Sequence, residues 1–151
     1  MLSKPAGPWI QTRTRGVFDY FNFRPLDFRL HDIAIALSRI PRFCGHTRIP
    51  YTVADHCIHV ANHLPPDLAA WGLFHDAAEA YISDIPAPIK KYMIVEIPRE
   101  FNSPGLGPTA CTDRVTISEF EHEMLAAIAS RFGLSWPIPP EVKVQDMRAL
   151  L

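Results

Sequence analysis

The residues best placed to do chemistry lie between Leu73 and Pro86. They are an adjacent His75-Asp76 pair, Glu79 three residues after the aspartate, and Asp84 just before Pro86. In a helix, His75 and Glu79 stand one turn apart on one face, with Asp76 a neighbour of Glu79. The flanking Leu73, Phe74, Ala77, Ala78 and Ala80 are apolar or small. Carboxylates in such surroundings need a partner, because an unpaired buried charge is costly. A metal ion would supply one. A helix cap or a surface ion pair would serve the dipeptide equally well, since two ligands do not make a site.

Further candidate ligands come from two other stretches, His56 and Asp146. Two imidazoles and two carboxylates together suit a borderline or hard divalent ion that keeps open water positions. The groups are far apart in sequence, so spacing alone says little. A core histidine or a capping aspartate would account for each of them singly.

Each candidate falls on an expected helix. Thr52 with Asp55 reads as a capping box that starts a helix running to about His63. Val53, Cys57 and Val60 form its apolar stripe, and His56, His59 and His63 an adjoining one. Cys57 is turned about 100 degrees from His56 and is not counted as a ligand. Asp67 is expected to cap the next helix, from about Leu68 to Tyr81, a mostly buried element that carries His75 and Asp76. Thr116 with Glu119 is a second capping box. The helix after it places Phe120, Met124, Leu125, Ile128 and Phe132 at helical spacing and stops at Gly133. Pro139-Pro140 opens a last helix carrying Asp146. An earlier helix, Asp32 to Ser38, ends before Pro41.

Between these elements the pattern is irregular. Residues 1–30 form an arm in which Trp9–Thr12 and Val17–Phe21 are either short strands or extended chain, its aromatics packing on the core. Residues 41–51 form a loop, and 94–114 a long loop rich in proline, glycine, serine and threonine, of the kind often tied to function. No strand pattern of length follows residue 50. The expected fold is therefore all-α: one domain over residues 1–151, with about six helices and an irregular N-terminal arm.

Bulk properties narrow the possibilities. The chain has 151 residues, 48% hydrophobic and 21% charged, as in ordinary globular proteins. A net charge of −1 gives no global reason for nucleic-acid binding, so affinity for phosphate must come from local cations. No apolar run is long enough to cross a membrane, and the N-terminus lacks the apolar centre of a signal peptide. The three cysteines, Cys44, Cys57 and Cys111, form no framework and read as reduced thiols of a cytoplasmic protein.

The ordered set Tyr51-Thr-Val-Ala-Asp-His56, Leu73-Phe-His-Asp-Ala-Ala-Glu79, Asp84-Ile-Pro86 and Val142-Lys-Val-Gln-Asp146 resembles the HD-domain phosphohydrolases. The match is to the small branch that holds 5′-deoxynucleotidases and phage dATP triphosphohydrolases. It covers residues 30–92 well and 114–148 more loosely. The resemblance implies His56, His75, Asp76 and Asp146 as ligands of a divalent ion (Co, Mn, Zn, Fe or Mg) and Glu79 as the catalytic carboxylate. It implies Arg42 as a phosphate-gripping catalytic and substrate-binding residue. Phe43 would shape the sugar and base pocket, and Asp84 would contact the deoxyribose 3′-hydroxyl. Homo-oligomers are common among such relatives, and one is expected here.

The chemistry implied is hydrolysis of a deoxynucleotide. The ion would polarise a phosphoryl oxygen and lower the pKa of a water, Glu79 would take the proton, and Arg42, joined by Lys90 or Lys91, would offset phosphate charge. The leading expectation is conversion of dATP to deoxyadenosine and triphosphate. The alternatives are a 5′-deoxynucleotidase acting on monophosphates, and an HD module that binds nucleotide or metal without turnover.

Overall fold

Two capping boxes start the two longest helices, as their sequence signatures predict. The computed structural model describes the backbone of residues 7–103 and 107–149, and the side chains of 7–98 and 112–149. Thr52 Oγ1 accepts the Asp55 N–H at 3.1 Å while the Asp55 carboxylate accepts the Thr52 N–H at 2.9 Å, opening helix α2, Val53–Asn62. Thr116 and Glu119 do the same for α6, Ile117–Phe132. Gly133, with φ 68°, ends α6 in the left-handed conformation that glycine tolerates best. Phe120, Met124, Leu125 and Ile128 on α6 are buried, with Phe132 packed against them.

The N-terminal arm joins this core. Strands β1 (Trp9–Gln11) and β2 (Val17–Asp19) pair antiparallel with Ile10 opposite Phe18. Phe18 and Phe28 are fully buried, and the Phe18 ring lies 4.1 Å from that of Tyr81. The hairpin turn is pinned to α1 (Leu30–Leu37) by Asp32, whose carboxylate accepts the Thr14 N–H at 2.7 Å and the Thr14 hydroxyl at 2.8 Å. Burial works against this carboxylate, but the Thr14 bonds outweigh it and hold Asp32 below its ordinary pKa.

Two expectations need correction. The stretch 94–114 is not a loop: β3 (Ile94–Ser103) pairs antiparallel with β4 (Gly107–Thr116), from Ile94 opposite Thr116 to Ser103 opposite Gly107. Its prolines and glycines mask a β-branched pattern at Ile94, Val95, Ile97, Val115 and Thr116. A two-stranded ribbon has two open edges, where a proline's missing N–H costs no ladder bond. The protein is thus not all-α but helical with two small two-stranded sheets.

The expected helix from Leu68 to Tyr81 is likewise two helices, α3 (Ala69–Phe74) and α4 (Glu79–Ile82). Leu68 is the N-cap and makes no side-chain cap bond, so Asp67 does not cap it. Between α3 and α4 the Ala77 N–H reaches Phe74 O at 2.9 Å and the Glu79 N–H reaches Asp76 O at 3.0 Å, the tight i to i+3 pattern. His75 Nδ1 bonds the Gly72 carbonyl at 2.8 Å, the acceptor that an uninterrupted helix would offer to the Asp76 N–H. Short helix α5 (Ala87–Lys90) and helix α7 (Pro140–Arg148) complete the order. Val142 is buried on α7 beside Trp71 and Ala129, whereas Val144 and Met147 are exposed.

Helices α2 and α3 touch backbone to backbone. A Cβ on Gly72 would lie 2.5 Å from Ala61 Cα and 2.8 Å from Ala61 N. Gly72→Ala is therefore expected to force the two helices apart and to cost about 1–3 kcal/mol or more in urea unfolding. Asp32→Ala is expected to cost about 1–3 kcal/mol at neutral pH by leaving Thr14 unpaired. Because the Asp32 pKa is depressed on folding, its stabilisation is present above the ordinary aspartate pKa and lost as pH falls through the folded value. Urea midpoints for Asp32→Ala should therefore depend less on pH across the acid limb than those of the parent.

Candidate metal centre

The close α2–α3 crossing sets His56 beside His75. Their Nε2 atoms are 3.3 Å apart, and both imidazoles are buried. Helix α7 adds Asp146, whose Oδ1 lies 2.8 Å from His56 Nε2 and 3.6 Å from His75 Nε2. Asp76 Oδ2 lies 3.3 Å from His75 Nε2 and 3.6 Å from His56 Nε2. The four residues singled out as ligands thus meet in one place.

These residues fit a divalent ion. Ligands about 2.1 Å from an ion and at right angles to one another sit about 3 Å apart, close to the spacings here. The Gly72 carbonyl can only accept, so His75 Nδ1 carries a hydrogen and Nε2 of the neutral ring presents its lone pair to the cluster. His56, His75 and Asp146 form one group that could hold a metal ion, and Cys57, His75 and Asp76 a second. Cys57 was set aside on helical geometry, yet its sulfur lies within 4.8 Å of donor atoms of His75 and Asp76. Its thiol is held well above the ordinary range by burial and by the nearby Asp76 and Glu79 carboxylates, which keeps it protonated and a poor ligand.

Glu79 and Arg42 stand against the cluster. Both are buried, and Arg42 Nη1 lies 3.4 Å from Asp76 Oδ2, 3.8 Å from Glu79 Oε2 and 3.3 Å from Asp84 Oδ1. Arg42 reaches this position from a 3-10 turn, Arg42–Gly45, held by the Arg42 N–H on Tyr51 O at 2.9 Å. Phe43 and Cys44 in that turn take left-handed backbone angles, φ 54° and 53°, unfavourable for residues with side chains. The Phe43 N–H donates to Asp84 Oδ2 at 3.3 Å, which helps hold the strained turn. The Phe43 ring is 46% exposed, so it is a surface group beside Arg42 rather than core.

The electrostatics follow from four carboxylates in one place. Burial raises Glu79, and repulsion from Asp76 and Asp84 raises it further, to about 9, against the pull of Arg42. Burial would lower His75, but Asp76 and Asp146 outweigh it and lift the ring to about 10. Burial also opposes ionisation of Asp76 and Asp146, yet Asp76 is lowered by His75 and Arg42 and Asp146 is lowered by both histidines. Without an ion, therefore, protons hold together a set of donors that a divalent charge would otherwise bind.

A cavity of about 670 Å³ opens beside the cluster, lined by His75, Asp76, Asp146, Lys90, Glu121 and Lys143. Lys90 does face the site, as a substrate contact requires, but it is ion-paired with Glu121. Glu121 and Lys143 were not singled out from sequence. The available signal was position: Glu121 lies one turn before the core residue Leu125, and Lys143 follows the buried Val142.

Protein stripped with a chelator is expected to melt higher when Mn²⁺, Co²⁺ or Zn²⁺ is restored, by about 2.7 kcal/mol at a hundredfold excess over Kd. His56→Ala and Asp146→Ala should each remove most of that gain in calorimetry. Unchanged melting with all three ions would count against the centre.

No family model matches the chain. Over 85 residues it is 40% identical to the uncharacterized protein YfdR of Escherichia coli K12, a match covering 56% of this chain and 48% of that protein. Over 134 residues it is 29% identical to an uncharacterized protein of Rhodobacter capsulatus, covering 83% of this chain and 58% of the relative. The chain thus spans about half the length of the curated relatives it matches.

Proposed function

We propose that the chain is a metal-dependent phosphohydrolase of the HD type acting on 2′-deoxynucleotides, with dATP hydrolysis to deoxyadenosine and triphosphate as its leading reaction. The observation that carries this reading is the meeting of His56, His75, Asp76 and Asp146, from three separate chain segments, with Glu79 and Arg42 against them.

His56, His75, Asp76 and Asp146 would hold the ion, which when bound would polarise a phosphoryl oxygen and acidify a water. Glu79 is the proton carrier. Its side chain is buried and free of any hydrogen bond to Oε2, so that oxygen is available to a water or a leaving oxygen. Arg42 supplies positive charge beside the metal-binding carboxylates, where phosphate charge would develop. Asp84 keeps lone pairs beyond those used by Arg42 and Phe43, and these could accept a sugar hydroxyl. The half-exposed Phe43 ring offers a face to the sugar or base.

One observation favours a second reading, a 5′-deoxynucleotidase. Lys90, a cation counted on for the distal phosphates, is already paired with Glu121. A monophosphate needs fewer free cations than a triphosphate. A module that binds without turnover is less well supported, because it has no use for a buried Glu79 held beside Arg42.

Purified protein incubated with dATP, dAMP or ATP and Co²⁺, Mn²⁺ or Mg²⁺ is expected to release deoxyadenosine and intact triphosphate from dATP, read by anion exchange. Deoxyadenosine and phosphate from dAMP alone would shift the assignment to the nucleotidase. Folded protein with no turnover under any of these conditions would sink both. Glu79→Ala should lower turnover by about 10²–10⁴-fold while leaving bound metal unchanged in elemental analysis.

A further inference from the structure

A second cavity, of about 490 Å³, lies where the β1–β2 hairpin meets α1. None of the metal-cluster residues lines it. Arg13 and Arg15 reach it from the hairpin turn, and Arg39 from just beyond the end of α1. All three arginines are exposed, and none is paired with a carboxylate among the described residues. The one acid in the lining, Asp32, is buried and committed to the Thr14 N–H and hydroxyl. Arg29, the nearby fourth arginine, is engaged by Thr14 Oγ1 at 2.9 Å. Ile10, Ile35, Ala36, Ala80 and Tyr81 supply the apolar part of the lining, the floor, beside the polar Gln11 and Thr12.

Three unpaired guanidinium groups around one concavity repel one another, and that arrangement favours an anion that can bridge them. The chain as a whole carries a net charge of −1, so the cationic character is local to this cavity. Guanidinium groups pair two at a time with oxygens of a phosphate or a carboxylate, and a chain of phosphates carries enough charged oxygens to reach three of them at once. The apolar floor calls for a ligand with a body as well as a charge, and the volume is that of an ordinary small-molecule site.

We propose that this cavity binds a phosphorylated small molecule of nucleotide size, at a site separate from the metal centre. Its phosphates lie among Arg13, Arg15 and Arg39, and its ring or apolar body lies on Ile10, Ile35 and Tyr81. Ala80 and Tyr81 directly follow Glu79 on α4, so the two sites share one short helix.

The test is calorimetric titration of the full chain in chelator, with ATP and with inorganic triphosphate, so that binding is read without metal and without turnover. Saturable binding of ATP is expected, with inorganic triphosphate weaker because it leaves the floor uncovered. Arg13→Ala and Arg39→Ala should each weaken ATP binding about tenfold, whereas Arg131→Ala, an exposed position on α6 outside the cavity lining, should not change it. All three are exposed positions, so the variants are expected to fold. Binding kept at full strength in both Arg13→Ala and Arg39→Ala would overturn the proposal by moving the ligand elsewhere. So would equal weakening in Arg131→Ala, equal affinity for ATP and plain triphosphate, or no binding at millimolar ATP and low salt. Because no hydrolysis is involved, failure here and failure of the phosphohydrolase reading are distinguishable.

Discussion

Two carboxylates, Asp76 and Asp146, lie against two buried imidazoles, and Glu79 and Asp84 stand close by on Arg42, a concentration of negative charge that has to be balanced largely out of reach of water. Arg42 balances one side, within 3.8 Å of three of the four. On the other side the options are protons or a cation. The raised pKa values of His75 and Glu79 describe the first option. The donor spacings describe the second. A fold that only needed stability would place apolar residues of similar volume here, since buried ion pairs seldom repay their desolvation. The same donors lie in groups that could hold a metal ion.

Holding those charges together requires the helices to approach closely. The contact of Gly72 with Ala61 lets α3 come against the backbone of α2, and this brings His75 to His56. The Gly72 carbonyl then orients the His75 ring, so one glycine both permits the approach and aims the ligand. Tightening between α3 and α4 continues the same device. It turns Asp76 towards the histidines and Glu79 towards Arg42. Helix α7 is seated by Val142 against Trp71, and Trp71 is itself fixed by its indole N–H on Ser135 O at 2.9 Å.

The hairpin arm has a comparable logic on a smaller scale. Asp32 is buried to pin Thr14, and the pinned turn carries Arg13 and Arg15 over α1. Its aromatics, Phe18 above all, close the core against Tyr81 on α4. The arm and the candidate metal centre therefore meet at α4, one through Tyr81 and the other through Glu79.

Local chemistry was legible in the residues themselves. The capping boxes at Thr52 and Thr116, the glycine stop at Gly133 and the apolar stripe of α6 all form as their patterns predict, because each depends on neighbours within a few residues. The types of the candidate ligands were legible too, since few residues bind metal and these are grouped in short motifs. Three things escaped the sequence pattern. The 94–116 ribbon was hidden because strand pairing is not local and prolines at open edges are harmless. The break at His75 was hidden because it arises from a side chain taking a backbone acceptor. The place of Lys90 was hidden because its partner, Glu121, comes from another helix. The sequence by itself determined which atoms can donate to a metal and where helices begin. Only the tertiary structure decided that donors from three segments lie about 3 Å apart, because that distance is set by helices packed backbone against backbone.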